Sequence, residues 1–204
     1  MILPFETYQP IWKEQFEIIK FDLEILLRSV QVSIEHIGST SIEGLSAKPI
    51  IDIIIGLENE YDLDHIPPLL QGNNYVYYEK YNEDMPYRRF FVLLKKSYEE
   101  LELPFCIKQG EEIPIKLHDH HLRKAHIHIV AVKSKHWLRH IAFREYLRTF
   151  PSIKQKYQEL KEELVQRQWK DGNEYNEGKD TFLKKTEKFA VEWYLNKCNQ
   201  EKRN

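Results

Sequence analysis

Residues 36–57 read HIGSTSIEGLSAKPIIDIIIGL, and this stretch decides the fold. Its second half, residues 50–57, is an almost unbroken run of isoleucines, which predicts a β-strand that is covered on both faces and lies inside a sheet. Residues 32–37, which are rich in β-branched side chains, predict a shorter strand that ends at Gly38 and Ser39. The two strands and the turn between them are therefore the expected centre of the molecule.

The Gly-Ser pair at the end of the first strand is typical of an anion site, since free backbone N–H groups and a hydroxyl suit an anionic oxygen. Further along, Asp52 lies inside the isoleucine strand, and alternation places it on one face with Ile50 and Ile54. A buried carboxylate is costly unless a partner compensates its charge, and a basic side chain such as Lys48 or a metal ion would do so. The alternative interpretation is a plain turn, followed by a structural Asp that accepts hydrogen bonds from loop backbone.

The rest of the chain predicts an α+β fold. Apolar spacing predicts an amphipathic helix over residues 11–30, and everything from Ser134 onward has helical periodicity. Further strands are predicted at residues 75–78, 89–95 and 125–132, with a partly helical segment at 63–70. Residues 97–121 have no clean period, so we expect a loop excursion with a strand near residues 113–117. We therefore expect a mixed β-sheet core over residues 1–133 and a C-terminal helical subdomain over residues 134–204 that packs on it.

Composition excludes several classes of protein. The 30 Lys and Arg residues nearly balance 32 Asp and Glu, which gives a net charge of -2 and argues against nucleic acid as a partner. The two cysteines, Cys106 and Cys198, lack CxxC spacing, which argues against a disulfide framework and favours a reducing compartment. Neither a membrane-spanning run nor a signal peptide is visible, so we expect a cytoplasmic protein without membrane contact.

Basic and imidazole side chains form a second set of candidates. His126 and His128 lie two apart on a predicted strand, so both project from one face, where they could ligate a metal or contact phosphate. The alternative is a half-buried face whose histidines bond to neighbours. Arg88 and Arg89 could hold phosphate bidentately or serve only to keep an edge strand charged. Arg144 belongs to a basic row on the first C-terminal helix, and such a row is usually a solvated face.

Several of these motifs resemble the GrpB family. The runs HIGST, SAKPIIDI, HIHIV and HIAFREYLRTFP carry the resemblance, which extends from about Phe5 to Trp193. The family is assigned to the nucleotidyltransferase fold, and its biochemical activity is undefined. The resemblance implies binding of a nucleotide and of Mg²⁺, with transfer of a nucleoside monophosphate as the reaction. It also matches Tyr175 and Lys179 to a Tyr…Lys pair of the family.

The resemblance assigns roles residue by residue. Gly38 and Ser39 match the Gly-Ser that holds terminal phosphates, and Asp52 matches the first acid of an Asp-x-Asp pair that binds magnesium. The second position is Ile54, so the usual two-metal arrangement lacks a ligand. Asp52 is the candidate catalytic residue. The candidate metal ligands are Asp52, His126 and His128, and the candidate phosphate-binding residues are Gly38, Ser39, Thr40, Lys48, Arg88, Arg89 and Arg144.

Three functions are compatible with this pattern. The leading hypothesis is a protein that binds a nucleotide or a phosphorylated metabolite without ordinary catalysis, because the second acid is missing. The alternatives are an active Mg²⁺-dependent nucleotidyltransferase and a protein-interaction or chaperone-like module whose helical half engages a protein partner. Fusion of GrpB domains to dephospho-coenzyme A kinase favours a partner role for the family, and fold analogy does not choose between the three.

Overall fold

The computed structural model describes residues 4–167, 169 and 172–201, and for residues 172, 173, 175 and 176 it describes the backbone alone. Five strands form one mixed sheet in the order β1-β2-β5-β4-β3. β2 and β5 are parallel, and the other neighbouring pairs are antiparallel. The strands are β1 (Val32–Ile37), β2 (Ile51–Leu57), β3 (Tyr75–Tyr77), β4 (Arg89–Leu94) and β5 (Arg123–Ala131).

The helices complete the α+β architecture that the sequence predicts. They are α1 (Ile11–Leu26), α2 (Ile66–Leu70), α3 (Lys135–Thr149), α4 (Pro151–Val165) and α5 (Gly172–Glu201). α3 begins where Ser134 Oγ accepts a hydrogen bond from the N–H of Trp137 at 3.2 Å, and α4 begins with Pro151, which needs no N–H partner in the first turn. None of the helices within the described ranges is long and apolar enough to cross a membrane.

The two faces of the sheet have different partners. α1 buries Trp12, Phe16, Ile19 and Leu23 against one face, together with the odd-numbered isoleucines of β2 and β5. The other face carries the even-numbered residues of these strands and receives the C-terminal helices, with Ile54 in contact with helix residues such as Ile141. The isoleucine run is thus covered on both sides, as predicted, and the second face is the one that carries polar residues.

Residues 97–121 depart from the expectation of a strand at 113–117. That segment forms a 3-10 turn at Ile115–His118 instead, because Pro114 precedes it and Leu117 points inward while its neighbours are exposed. The loop also covers the outer edge of the sheet: the N–H of Tyr77 donates to the carbonyl of Phe105 at 2.7 Å, and the N–H of Ile107 donates to the carbonyl of Tyr77 at 2.8 Å. An edge strand that is covered in this way does not offer its backbone to another chain.

Candidate functional site

The turn after β1 lies directly against Asp52 of β2. Gly38 has φ of 69°, which favours glycine, and a Cβ built on it would lie 2.4 Å from Asp52 Oδ2. No side chain can therefore replace the hydrogen of Gly38 without moving the carboxylate. The close approach places the backbone of the Gly38-Ser39 turn and Asp52 in one site, and the Asp52 side chain keeps 33% of its surface exposed there.

Asp52 is the first member of a hydrogen-bonded chain along the sheet. The register pairs Asp52 with His126 on β5, and His126 Nδ1 lies 3.1 Å from Asp52 Oδ1. Since a carboxylate only accepts, Nδ1 carries the proton and donates it, and Nε2 accepts from Arg123 Nη1 at 3.1 Å. Burial alone would raise the pKa of Asp52, but the hydrogen bond from His126 and the charges of His126, His128 and Lys179 hold the pKa below its ordinary value.

Three lysines, Lys48, Lys161 and Lys179, converge on this turn and form what we call the lysine cluster. Lys161 extends from α4, is only 2% exposed, and donates to Ser39 Oγ at 3.3 Å and to the carbonyl of Ser46. Its ammonium also lies 4.8 Å from the centre of the Tyr157 ring. Lys48 and Lys179 lie near enough to Asp52 for its charge to raise the pKa of both ammonium groups.

The lysine cluster is crowded with positive charge. Burial, followed by the charge of Lys179, lowers the pKa of Lys48 to about 7. Burial, followed by the charge of Lys179, also lowers the pKa of Lys161 to about 7, and burial lowers that of Lys179 to about 8. The cluster therefore concentrates positive charge near Asp52, and a bound anion would raise these pKa values again.

Hydrogen bonds within residues 36–41 and from Arg144 of α3 hold the shape of the Gly38-Ser39 turn. His36 Nε2 bonds to the hydroxyl of Thr40 at 2.9 Å, and Ser41 Oγ donates to the carbonyl of Gly38 at 2.7 Å. Arg144 of α3 donates to Glu35 at 2.7 Å and to the carbonyl of His36 at 2.8 Å. Thr40 and Arg144 are thus already bonded within the protein, and their observed contacts position the Gly38-Ser39 turn.

With this geometry established, comparison with known sequences places the molecule. The sequence profile described as "GrpB protein" matches residues 4–188. The chain belongs to the GrpB family. The Glutamate-rich protein GrpB of Alkalihalophilus pseudofirmus is 31% identical over 179 residues, which cover 87% of this chain and 89% of that protein.

A second relative is about twice as long as this chain, and a third has a crystal structure. The UPF0157 protein YqkA of Bacillus subtilis is 29% identical over 192 residues, and the match covers 94% of this chain and 48% of that protein. A crystal structure of the conserved protein GrpB from Enterococcus faecalis has a TM-score of 0.72 and 33% identity, and the match covers 94% of this chain and 99% of that one. The GrpB fold is therefore shown for nearly the whole chain.

Two adjacent arginines point in opposite directions in this GrpB protein. Arg88 lies on the same face as Asp52, where its Nη1 is 3.5 Å from His128 Nδ1 and its guanidinium lies over the ring of Phe90. Arg89 lies on the face that carries α1, with its guanidinium 2.7 Å from the carboxylate of Asp64. Arg89 therefore stays outside the cluster of candidate residues, and its contacts are those of a buried arginine paired with an exposed carboxylate.

The donor set around Asp52 does not fit a magnesium centre held by protein side chains alone. Mg²⁺ prefers about six oxygen ligands, whereas the neighbours of Asp52 are imidazoles, a guanidinium and the lysine cluster. No group of three or more His, Cys, Asp or Glu side chains within the described ranges is arranged to hold a metal ion. His128 accepts from Arg88 and does not reach a shared ligand position with Asp52 and His126. The expectation of Mg²⁺ thus depends on oxygens that a bound nucleotide would bring.

Several residues of the site were missed or underrated by sequence reasoning. Lys161 continues the apolar stripe of α4 that contains Tyr157 and Leu164, and a lysine on an apolar stripe is a usable signal of a buried charge. Lys179 lies at the position of the family Tyr…Lys pair, while the side chain of Tyr175 lies outside the described part of the chain. Arg123 starts β5 three residues before His126, and nothing local distinguishes it from other arginines.

Proposed function

We propose that this GrpB protein binds a phosphorylated small molecule, a nucleotide or a phosphorylated metabolite, with a phosphate at the Gly38-Ser39 turn. The observation that carries the proposal is the lysine cluster, which brings three buried or half-buried ammonium groups to the turn and to a single carboxylate. Backbone N–H groups at a glycine turn and lysine ammonium groups are common phosphate ligands in proteins.

The energetics of the lysine cluster support an anionic ligand. Burying ammonium groups is costly, and the lowered pKa values of Lys48 and Lys161 reflect that cost. A phosphate dianion would add negative charge beside the ammonium groups and raise these pKa values. The folded protein is therefore expected to gain stability and protons together when such a ligand binds.

Turnover is not part of this proposal. Position 54 holds a buried isoleucine where the nucleotidyltransferase superfamily has the second acid of its Asp-x-Asp pair, and the remaining groups offer one carboxylate for a metal. Asp52 Oδ1 is occupied by His126 and Oδ2 lies against Gly38. Nucleotide and magnesium binding remain separate expectations, since the lysine cluster can neutralise phosphate whether or not a metal accompanies it.

Thermal unfolding across a ligand series tests the proposal. ATP, pyrophosphate and simple sugar phosphates are each added with excess EDTA and, in parallel, with Mg²⁺, and adenosine serves as the phosphate-free control. A ligand at 100 times its Kd adds about 2.7 kcal/mol, which raises the Tm of a chain of this size by about 5–10 °C. We expect phosphorylated ligands to raise the Tm in EDTA and adenosine to leave it unchanged.

A pair of variants on one helix assigns the effect to the site. Lys179→Met removes a cluster ammonium, and Lys188→Met removes an exposed lysine further along α5. Loss of a charged hydrogen bond lowers affinity about ten- to a hundredfold, so we expect the first variant to lose that much and the second to bind as the parent does. The proposal is wrong if no phosphorylated ligand stabilises the parent, or if both variants bind equally well.

A further inference from the structure

Two buried polar atoms beside Arg123 have no hydrogen-bond partner. Four buried side-chain atoms are unsatisfied within the described ranges, and two of them are the hydroxyl of Tyr78 and Nδ1 of His120. Tyr78 is only 3% exposed, and the charge of Arg123 acts on the pKa of both Tyr78 and His120. Buried polar atoms are nearly always satisfied, so these two atoms, both within reach of the charge of Arg123, indicate a missing partner.

Arg123 itself has hydrogen-bonding capacity to spare. Its Nε and Nη2 donate to the carbonyl of Leu117, and its Nη1 donates to His126. A guanidinium has five N–H donors, so two of them remain without a partner within the described residues. The nearby carboxylate of Asp119 is exposed, accepts from the N–H of His121, and forms no ion pair with Arg123 among the described side chains.

These groups lie across Asp52 from the Gly38-Ser39 turn, because β2 separates β1 from β5 in the sheet. One imidazole ring, that of His126, and its two hydrogen bonds of 3.1 Å separate the Asp52 carboxylate from the Arg123 guanidinium. Positive charge thus flanks the Asp52-His126 pair, with Lys161 at the turn and Arg123 on the other side. We call Arg123, Tyr78 and His120 the Arg123 subsite.

We propose that the Arg123 subsite receives a second anionic group, a carboxylate or a phosphoryl group, of the same ligand whose phosphate lies at the Gly38-Ser39 turn. This inference rests on the proposed function and narrows it to ligands with two separated anionic groups. The oxygens of such a group would accept hydrogen bonds from the donors that the subsite offers: the two spare N–H groups of Arg123, the hydroxyl of Tyr78 and an N–H of His120. Half-buried Lys48 lies on the side of His120 and adds positive charge.

Matched ligands that differ only in the second group test the inference by titration calorimetry. 6-Phosphogluconate and sorbitol 6-phosphate differ by a carboxylate at the end opposite the phosphate. Fructose 1,6-bisphosphate and fructose 6-phosphate differ by a phosphoryl group in the same place. We expect at least one ligand with two anionic groups to bind about tenfold or more tightly than its partner with one, as for one charge-assisted interaction. The pair that shows the larger ratio distinguishes carboxylate from phosphoryl.

Two variants then assign the ratio to the subsite. Tyr78→Phe removes one unsatisfied hydroxyl from the core, so it should fold at least as well as the parent, and its control is Tyr61→Phe at an exposed position. Arg123→Lys keeps the charge but loses the planar fork, and its control is Arg167→Lys at an exposed position just after α4. We expect each subsite variant to reduce the affinity ratio by about threefold or more, while affinity for the partner with one anionic group changes little.

The outcomes separate this inference from the proposed function. Equal affinities within both pairs, or a ratio that survives Tyr78→Phe and Arg123→Lys, overturn the second anion site while the phosphate site stands. Equal affinities are also the result expected if ordered water satisfies Tyr78 and His120. If no member of either pair binds, the proposed function falls, and the inference falls with it.

Discussion

Replacing Lys161 by methionine is expected to change stability in opposite directions at low and at high pH. In the parent, burial and then the charge of Lys179 lower the pKa of Lys161 from 10.5 to about 7. The unfolded chain therefore keeps this proton up to about pH 10, while the folded protein releases it near neutrality. Because the unfolded state binds the extra proton between pH 7 and 10, the parent gains stability as the pH rises through that window.

The size of the effect follows from the same values and from the contacts of the ammonium. A fall of the pKa from 10.5 to about 7 corresponds to a folding cost of about 5 kcal/mol at pH 6, which shrinks to about 1 kcal/mol at pH 10. Methionine removes that cost but loses the hydrogen bonds to Ser39 and Ser46, worth about 1–3 kcal/mol. Its thioether replaces the ammonium beside the Tyr157 ring. We expect the variant to be about 2–4 kcal/mol more stable than the parent at pH 6 and up to about 2 kcal/mol less stable at pH 10.

Urea unfolding followed by tryptophan fluorescence at pH 6, 8 and 10 measures these differences. Lys156→Met, an exposed position on the same helix, controls for helix propensity and net charge and should differ from the parent by no more than about 0.5 kcal/mol at each pH. A difference between Lys161→Met and the parent that is independent of pH would refute the reasoning. So would a variant that is least stable at pH 6, since Lys161 would then be a charge that the fold fully compensates.

Three further predictions concern the neighbouring residues. Gly38→Ala places a Cβ 2.4 Å from the Asp52 carboxylate at a position where φ is 69°. The variant should lose about 1–3 kcal/mol of unfolding free energy, measured in urea, and should no longer bind phosphate. A variant with normal stability and binding would contradict the close contact. At pH 8 a phosphorylated ligand should raise the lysine pKa values, so that about one proton is taken up on binding. Because that proton comes from the buffer, the binding enthalpies measured by calorimetry in Tris and in HEPES should differ. Equal enthalpies would contradict proton uptake. Arg89→Met should lower the free energy of unfolding by about 1–3 kcal/mol, because the contacts to Asp64 and to two carbonyls are lost. Its phosphate affinity should be unchanged. A variant of normal stability that binds phosphate poorly would show that Arg89 belongs to the binding site.

The sheet and its polar face were predictable because strand alternation is a local rule. A run of isoleucines predicts an interior strand, and the period of two predicts that Asp52, His126 and His128 project from faces that the register then aligns. The same rule separates Arg88 from Arg89, since neighbours on a strand project to opposite faces. Treating those two arginines as one phosphate clamp overlooked a signal that the sequence contains.

Local sequence rules could not predict that Lys161 and Lys179 belong to the site. Lys161 lies 122 positions from Ser39 along the chain, and Lys179 comes from another helix. Their arrival at the turn depends on how α4 and α5 dock on the sheet, which is set by the packing of apolar side chains from distant parts of the sequence. The 3-10 turn at Ile115–His118 was missed for a related reason: a short apolar segment has no periodicity of its own, and burial of Leu117 under the loop decides its shape.

The charge balance of the proposed site explains why it needs no second carboxylate beside Asp52. A magnesium ion brings two positive charges to phosphate and requires acidic oxygens to hold it. Where a lysine cluster supplies positive charge instead, a second carboxylate at position 54 would pair with an ammonium and withdraw it from the ligand. Ile54 is fully buried and packs with Ile37 and Val130 under the C-terminal helices, so the position contributes to the interface that holds α5, and with it Lys179, over the sheet. Loss of the acid and recruitment of the lysines then belong to one arrangement, in which side chains neutralise the phosphate.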